Sequence, residues 1–387
     1  MTVHQAVVTI TPDGQTPVAI QDDVLVGATI HHGQGDLWDT ADPSTLSLTV
    51  LDPTGSMRSL FDFTTRVAIT VTGQVRFTGW VADMRATYDS PGWVLDVIAV
   101  NRWTALRTTV VPARPRETAA DRILAVALEA GLTEDLLVDP VESVTLLAVA
   151  DAATPYDLAA SAAAHDLGLL APTRAGGIRY HGRERLAASQ LVKAVLPASG
   201  VFVDAVWTRA VGDLSTTVVA QYGTDNPQAF VAADDVALRD ALGRADVYLI
   251  GDQYATQADA REAVDTALPR RTARMWHTET LTVDLAFPAF DPARTGNVLA
   301  LEVGDVVWVT GAPAQSPAGE TETYVVLGWT ETLDGTSHTL DLAVAEYDLI
   351  RERARWGNVA MSWQNAGQAP VGSYAFTPPT LAPGVGA

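Results

Sequence analysis

The chain has 387 residues, of which 48% are hydrophobic and 18% are charged, and this composition excludes wholesale disorder. It contains no cysteine, so disulfide bonds, thiolate metal sites and a cysteine nucleophile are excluded. The net charge is −21 and Lys193 is the only lysine, which argues against stable binding of nucleic acid because phosphate contacts need cationic side chains.

The first hundred residues predict short antiparallel strands, because apolar and polar residues alternate between turn signals. A polar loop over residues 33–43 interrupts them, and a loop of this length usually contacts something. The strands are expected near 4–10, 17–20, 24–31, 45–51, 66–72, 76–84 and 93–100.

After residue 104 the pattern changes to helices. Thr154 and Pro155 open a helix that runs to Gly168, because a capping hydroxyl precedes a proline at the first helical position. Two short strands follow, around 168–171 and 177–181. An earlier helix lies within 117–131 and ends at Gly131. Its apolar stripe is expected to contain Ala120, Ile123, Leu124, Ala127 and Leu128.

The last part of the chain returns to strands. A capping box at Thr256 predicts a helix over 256–268 that stops before Pro269. The strands are expected near 201–209, 215–222, 245–251, 274–285, 304–310, 322–331 and 338–345.

Beyond residue 352 the chain is rich in Pro and Gly, so neither a helix nor a central strand is expected there. Disordered tails usually contain few aromatic residues, whereas this one contains several. We therefore expect an extended arm that orders against a partner or another subunit, and its candidate contact residues are Trp356, Trp363, Tyr374 and Phe376.

Two segments near opposite ends of the chain match each other. Residues 67–100 and 305–345 each contain a strand that ends in Val-Thr-Gly, a strand with Gly-Trp and a strand with Leu-Asp. The link between Val-Thr-Gly and Gly-Trp is 11 residues longer in the second segment. Solenoid repeats follow one another directly, whereas about 200 residues separate these copies. We expect one small β-barrel domain used twice, so that three chains can form a pseudo-sixfold ring.

The Gly-Trp pairs, Gly79-Trp80 and Gly328-Trp329, have two interpretations. A strand tryptophan can stack on a sugar. Its occurrence in both copies favours a structural role, in which the glycine permits close approach of another backbone and the indole fills or caps the barrel.

The search for a catalytic or metal site yields no candidates. His31 and His32 are adjacent at a strand end, so their side chains point to opposite faces and cannot share a metal; we expect surface polar residues. Asp22-Asp23 and Asp234-Asp235 lack the spacing of a calcium-binding loop and are expected to be solvated turn residues. No nucleophile elbow, zincin or phosphate-loop motif occurs. The sequence predicts no enzyme, no cofactor and no metal.

The order of these motifs carries a family resemblance. The chain has a PSTLSLTVLDP strand, an FTGWVADM hairpin, an ATPYDLAASAAAHDLGLL unit, a TQADAREAVDTAL helix and a final ETYVVLGWTETLDGTSHTLDLAVAEYD segment. Over roughly residues 1–350 this order resembles the baseplate-hub or tail-associated minor tail proteins of long-tailed bacteriophages. These proteins are related to the late-control D hub and to the N-terminal hub of VgrG spikes.

The resemblance implies a mainly β fold with α+β insertions. A first tube-like antiparallel β-barrel is expected over 1–104 and a small α/β domain over 105–200. A second barrel region is expected over 201–351, and the extended arm over 352–387.

The resemblance also implies a function. The chain is expected to be a virion protein at the distal end of the tail, where a homotrimer closes the tail tube and adapts sixfold to threefold symmetry. The implied partners are the distal tail protein or tube ring, receptor-binding or fibre proteins, and tape-measure protein in the lumen. DNA is expected only in transit, helped by an acidic lumen, and no membrane insertion by this chain is expected because no long apolar run occurs.

Two alternatives stay open from the sequence. The first alternative to the phage hub is the hub of a contractile injection system or secretion spike. The second is a carbohydrate-binding or cell-wall-degrading tail protein.

Overall fold

The structure is a computed structural model of the chain. It describes residues 6–20, 25–36, 41–89, 92–138, 143–187, 191–197, 202–208, 214–223, 229–243, 245–249, 254–272, 277–285, 292–311, 321–347 and 350. The contact residues expected in the C-terminal arm, Trp356, Trp363, Tyr374 and Phe376, lie outside the described residues.

The first hundred residues form seven strands and one turn of 3-10 helix at Met57–Leu60, and the strand predictions are confirmed. Alternate residues are buried in several of these strands, as in β4, where Leu46, Leu48 and Val50 face the core. The strands are β1 Ala6–Thr11, β2 Val18–Ile20, β3 Leu25–Gly33, β4 Thr45–Asp52, β5 Arg66–Val71, β6 Gln74–Asp89 and β7 Gly92–Val100.

The middle of the chain contains four helices and short strands. The predicted cap of α3 is confirmed, because the Thr154 hydroxyl accepts a hydrogen bond from the Asp157 backbone N–H at 3.1 Å. The Thr118 hydroxyl caps α2 in the same way, accepting from the Asp121 N–H at 3.1 Å. The elements are α1 Trp103–Thr108, β8 Glu117–Thr118, α2 Ala119–Glu129, β9 Leu136–Val138, β10 Thr145–Leu146, α3 Pro155–His165, β11 Leu169–Pro172, β12 Ile178–His181, α4 Arg183–Ala187 and β13 Val192–Pro197.

The predicted apolar stripe of α2 is partly wrong. Leu124 and Leu128 are exposed, whereas Val126 is buried beside Ile123 and Ala127. The buried residues recur every three or four positions, as a helix face requires, but the face is rotated toward α3, against which α2 packs. Both faces of α2 are apolar enough to satisfy the periodicity, so the sequence does not choose between them.

The remaining elements are eight strands and three helices. They are β14 Phe202–Thr208, β15 Thr217–Tyr222, β16 Ala229–Asp234, α5 Val236–Leu242, β17 Asp246–Tyr248, α6 Gln257–Thr272, β18 His277–Asp284, α7 Pro292–Leu299, β19 Val306–Thr310, β20 Thr321–Asp334 and β21 His338–Glu346.

Helix α6 does not stop before Pro269, contrary to the prediction; it continues to Thr272. A proline this close to the C-terminal end removes few helical hydrogen bonds. Contacts outside the helix hold the last turn, because Arg270 is buried and its guanidinium donates to the Ile350 carbonyl at 3.4 Å.

Thirteen strands form one large sheet, and this confirms the mainly β fold. The neighbours along it are β14, β18, β21, β20, β3, β4, β7, β6, β5, β1 and β2, while β19 pairs with β20 and β13 pairs with β19. Every pairing except the parallel β13–β19 pair is antiparallel.

The strands of both predicted barrels therefore lie in one sheet, and its described path is open between β14 and β2. Two smaller three-stranded sheets, β11–β12–β9 and β16–β15–β17, and the β10–β8 pair lie outside it. One hydrophobic cluster contains buried residues of both predicted barrel regions and of the middle of the chain, from Val8 to Ile350. The predicted domain boundaries after residues 104, 200 and 351 stay predictions. Within the described part of the chain, no helix has the length and apolar character needed to cross a membrane.

Candidate assembly interface

The large sheet is built from two copies of one arrangement. The first half-sheet consists of β3, β4, β7, β6 and β5, and the second consists of β14, β18, β21, β20 and β19 in the same order. In each, a strand, a hairpin partner and a third strand follow one another along the chain, as the repeat predicts. The strand that extends each half-sheet differs in direction. In the first copy β1 is antiparallel to β5, whereas in the second copy β13 is parallel to β19.

Bulges fix how the two copies correspond. The second hairpin strand has a bulge between Val81 and Asp83 in β6, and between Val326 and Gly328 in β20. The first strand of each half-sheet also has a bulge, which lies between Leu25 and Gly27 in β3 and between Phe202 and Asp204 in β14. Bulges reposition a whole strand, so the same bulge at the same ladder position marks equivalent strands.

The Leu-Asp motif occupies equivalent positions and makes the same contact in both copies. The Thr49 hydroxyl donates to Asp96 at 3.0 Å, and the Thr282 hydroxyl donates to Asp341 at 2.6 Å. Each threonine is the cross-strand neighbour of its aspartate. The repeat therefore extends to side-chain hydrogen bonds on the open face of the sheet.

The Gly-Trp pairs are not equivalent, although they match in sequence. Counted from the bulge, the position of Trp329 corresponds to Met84, which lies four residues after Trp80. The length of the link changes when the bulge, and not the Gly-Trp pair, is its end point. From Gly73 to Asp83 there are ten positions, and from Gly311 to Gly328 there are 17. The link of the second copy is therefore longer by seven residues and not by 11.

Each glycine nevertheless has the predicted task. A Cβ on Gly328 would lie 2.5 Å from the His32 carbonyl oxygen, and one on Gly79 would overlap the Val100 carbonyl. Trp329 is buried and stacks on the His32 ring at 4.2 Å, while Trp80 is half-buried beneath Arg66 and Arg102. The structural interpretation of these tryptophans holds in both copies.

The two half-sheets meet inside the chain where β20 pairs with β3; we call this the β20–β3 junction. Residues 328–334 of β20 pair with residues 33–27 of β3, and Gly33 stands opposite Gly328. Gly33 has a positive φ of 83°, and a Cβ there would meet the Gly328 Cα at 2.6 Å. Only glycine suits both the backbone conformation and the space.

His32 corrects a prediction, because it is not a surface residue. Its side chain is 5% exposed, its Nδ1 lies 2.7 Å from the Ser44 hydroxyl, and its ring covers Trp329. Burial, together with the nearby Arg76 and Arg174 charges, lowers the pKa of His32 to about 3. The predicted opposite orientation of the two histidines is confirmed, since His31 is exposed and contacts Thr330 at 2.9 Å.

A buried ionic network lies behind this junction, and sequence reasoning missed it. Arg76 of β6 donates to Glu331 of β20 at 2.7 Å and to the Leu299 carbonyl. The His338 Nε2 donates to the other Glu331 oxygen at 2.8 Å. Burial raises the pKa of Glu331, but Arg76 and His338 outweigh it and hold the pKa below its usual value. Arg76 and Glu331 are 255 positions apart, so no local pattern indicates their contact.

Outside the β20–β3 junction, each half-sheet ends in a segment that has a described strand on one side. Residues 83–89 of β6 pair with β7, whereas the pairing of β5 with β6 ends at Trp80. At the opposite end of the sheet, β18 is the described strand that pairs with β14.

Among the described residues, neither the Asp234-Asp235 pair nor the large cleft brings together a set of metal ligands. Asp234 pairs with Arg239 at 2.8 Å, and Asp235 caps α5 by accepting from the Leu238 N–H at 2.9 Å; Asp22 and Asp23 lie outside the described residues. A cleft of about 1280 Å³ opens over the β20–β3 junction, with His31, Asp341 and Arg270 in its lining. Across the described ranges, no cluster of three His, Asp or Glu side chains could hold a metal.

Comparisons with known proteins agree with this architecture. No protein-family model and no curated protein sequence matches the chain. Among solved structures, the 43 kDa tail protein of prophage MuSo2 from Shewanella oneidensis is 13% identical with a TM-score of 0.63, over 89% of this chain and 99% of that one. A tail protein from Neisseria meningitidis MC58 is 12% identical with a TM-score of 0.64, over 89% and 98%.

A third similar structure comes from a secretion system. It is an E. coli component of the type VI secretion system, described as structurally similar to the T4 bacteriophage tail proteins gp27 and gp5. It is 11% identical with a TM-score of 0.50, over 87% of this chain and 76% of that one. The resemblance inferred from the sequence is thus confirmed for the fold: the chain has the fold of phage tail-associated proteins.

Proposed function

We propose that the chain is a structural protein of a bacteriophage virion, a hub at the distal end of the tail. Three copies form a ring that closes the tail tube, with two equivalent half-sheets per copy. The ring presents six similar units to a sixfold tube and three identical chains below it, and so adapts one symmetry to the other.

The observation that carries this proposal is the equivalence of the two half-sheets, including their bulges and the Thr-Asp hydrogen bonds. Copies of a chain that joins two equivalent units edge to edge can associate through a heterologous interface. Such an interface gives a ring if the rotation closes, and two units per chain require three chains for six.

The proposed ring has a channel for DNA in transit and for a tape-measure protein. On the open face of the sheet, Asp83, Asp96 and Asp341 supply negative charge and Arg85 supplies positive charge. Arg107, Arg270 and Arg271 line the cleft over the same face, so its charge is mixed.

The remaining partners follow from the same placement. A tube ring or distal tail protein would lie above the hub, and receptor-binding or fibre proteins below it. The aromatic residues of the 352–387 arm, Trp356, Trp363, Tyr374 and Phe376, are the proposed contacts for one of these partners. The proposed role is non-enzymatic.

A second candidate is the hub of a contractile injection system or secretion spike, which the similarity to the E. coli secretion component favours. Neighbouring genes distinguish the two, since capsid and terminase genes accompany a phage tail. A sugar-binding role finds little support on the described residues, where every tryptophan is at least partly buried.

The test is the mass and symmetry of the assembled protein. Native mass spectrometry of the full chain should give three times 41.0 kDa, and images of the tail tip should show a threefold ring. A monomer within the assembled particle, or a ring without threefold symmetry, would contradict the proposal. Release of sugar or peptide from host cell wall would favour a hydrolase instead.

A further inference from the structure

We infer that the first part of the C-terminal arm, residues 356–363, binds in the cleft over the β20–β3 junction of its own chain, with Trp356 and Trp363 at the two ends of the cleft floor. The cleft is the binding surface, and its occupant is an uncharged aromatic segment of the same molecule. The inference concerns a single chain and does not depend on the number of chains in the ring. It rests on the proposed function in one respect, since it narrows the proposed partner contacts of the arm to Tyr374 and Phe376.

The floor of the cleft is a row of residues that crosses five strands. Each member is the direct cross-strand neighbour of the next, and each lines the cleft. Four strand spacings of about 4.8 Å make the row about 19 Å long. The cleft floor therefore has the length of a short extended peptide. In order across β7, β4, β3, β20 and β21, the row consists of Val100, Thr45, His31, Thr330 and Asp341.

The size of the cleft favours a segment of chain over a small molecule. Its volume is about 1280 Å³. Sites that enclose small ligands usually measure about 300–1,000 Å³. An extended chain advances about 3.3 Å per residue, so the seven steps from Trp356 to Trp363 cover about 23 Å. This length matches the floor and brings one indole to each end of it.

The path of the chain leads to the cleft. Residues 343–346 at the end of β21 line it, and so do Arg270 and Arg271 near the end of α6. Ile350 is the last described residue, and its carbonyl accepts a hydrogen bond from Arg270 at 3.4 Å. Trp356 follows six residues later, so its Cα is within about 20 Å of Ile350. The arm therefore starts from the rim of the cleft.

Charge distinguishes the arm from other occupants. Residues 356–387 contain no Asp, Glu, Lys, Arg or His, although 18% of the whole chain is charged. The cleft has charges of both signs, and one pair, Arg107 and Asp42, is joined at 2.5 Å. A charged occupant of either sign would meet like charges there and would also lose water from its own charge. An uncharged segment avoids both costs, and its backbone can hydrogen-bond with the Thr45 and Thr330 hydroxyls.

Arginine side chains line both ends of the cleft. Arg107 belongs to α1, which follows β7, whereas Arg270 and Arg271 belong to α6, which precedes β18. Arg107 lies over the Tyr156 ring at 4.2 Å, and 41% of its side chain is exposed, which leaves room for a second ring. Guanidinium groups stack on aromatic faces, with tryptophan giving the strongest contact. Trp363 is therefore assigned to the Arg107 end, and Trp356 to the end with Arg270 and Arg271.

Photo-cross-linking of the full chain tests this assignment. Benzoylphenylalanine replaces Trp356 or Trp363, the protein is irradiated, and the linked peptides are identified by mass spectrometry. From position 363 we expect links to residues 100–107, and from position 356 links to residues 343–346 or 270–271. The linked product should keep the mass of one chain under denaturing conditions. The same probe at Tyr374 should give no link to the cleft.

Two substitutions on β4 provide a matched pair of variants. Thr45→Trp fills the floor and should lower the yield of cleft links from position 363 by about tenfold, because a filled site accommodates a second bulky group poorly. Ser47 is exposed on the same face two residues further along, outside the cleft lining. Ser47→Trp should therefore leave the yield unchanged. Circular dichroism of both variants checks that the sheet is retained.

The outcomes separate this inference from the proposed hub. Links from positions 356 and 363 to other proteins, to a second copy or to peptides outside the cleft would overturn the inference, as would an absence of links. A threefold ring seen with any of these results would leave the hub intact. Links to the cleft in a particle without threefold symmetry would support the inference and contradict the hub. Equal yields from Thr45→Trp and Ser47→Trp would overturn the assignment of the floor.

Discussion

Two equivalent strand segments have opposite surroundings. Residues 328–334 of β20 lie against β3 and are mostly buried, whereas residues 83–88 of β6 are almost all exposed. They share a preceding bulge and an equivalent partner strand. The sheet design is the same, so the difference in burial comes from whether a second half-sheet lies alongside.

The side chains at corresponding positions of the two segments differ in charge and burial. At the position of Glu331, whose carboxylate is buried between Arg76 and His338, the first copy has the exposed Ala86. A buried ion pair needs its partners permanently in place, because either charge alone is costly to bury. An edge that is exposed before assembly must be compatible with water, and a small neutral residue meets that requirement.

The largest expected effect comes from breaking the buried network. Glu331→Ala should lower the free energy of unfolding by about 3–5 kcal/mol, because Arg76 then stays buried without its carboxylate. Urea denaturation followed by circular dichroism measures it. Ala86→Glu at the corresponding exposed position is the control and should change stability by less than about 0.5 kcal/mol. Equal losses at both positions would mean that the two segments do not differ as described.

A smaller effect is expected from closing the space between the two backbones at the β20–β3 junction. Gly328→Ala adds a Cβ 2.5 Å from the His32 carbonyl oxygen, so the strands must separate locally. We expect a loss of about 1–3 kcal/mol, in the range for overpacked sites. Asp83→Ala, at the corresponding position in β6, should leave the denaturation midpoint nearly unchanged. An unaffected Gly328→Ala midpoint would contradict the close approach.

The third effect concerns acid and is small near neutral pH. Because the pKa of His32 falls to about 3 in the folded chain, the unfolded chain takes up the proton first as the pH drops. Stability from this group is therefore complete above about pH 6.5 and is lost as the pH falls toward 3, by at most about 1.4 kcal/mol per pH unit.

His32→Gln tests this contribution. The variant should be less stable than the parent near pH 7, because it loses the stacking on Trp329, but its stability should decline less steeply between pH 6.5 and 5. Denaturation midpoints across that range provide the measurement. Parallel curves for the two proteins would show that His32 takes up no proton on unfolding.

Most strands could be predicted because each carries its own signal. The alternation in β4 and the capping threonine of α3 are local, and the structure has them where the sequence predicts them. Helix α6 is an exception, since the proline signal was outweighed by contacts of the last turn. Short elements such as α7, which contains Gly296, have no such local signal.

The interface could be predicted only in outline. The repeat indicates two similar units, but matching Gly-Trp pairs gave the wrong correspondence, because bulges and hydrogen-bond register are not visible in residue identity. The burial of His32 depends on Trp329, nearly 300 positions away in the chain. The contact between Arg76 and Glu331 likewise exists only because β20 pairs with β3. Such contacts follow from topology, which local patterns do not specify.

The central claim is that each chain contributes two equivalent half-sheets to one ring of three chains. An image of the assembled tail tip at a resolution that separates strands tests it most directly. The account predicts three chains whose six half-sheets alternate around the ring. A ring with a chain number other than three, or one in which the two half-sheets of a chain do not occupy alternating positions, would contradict it.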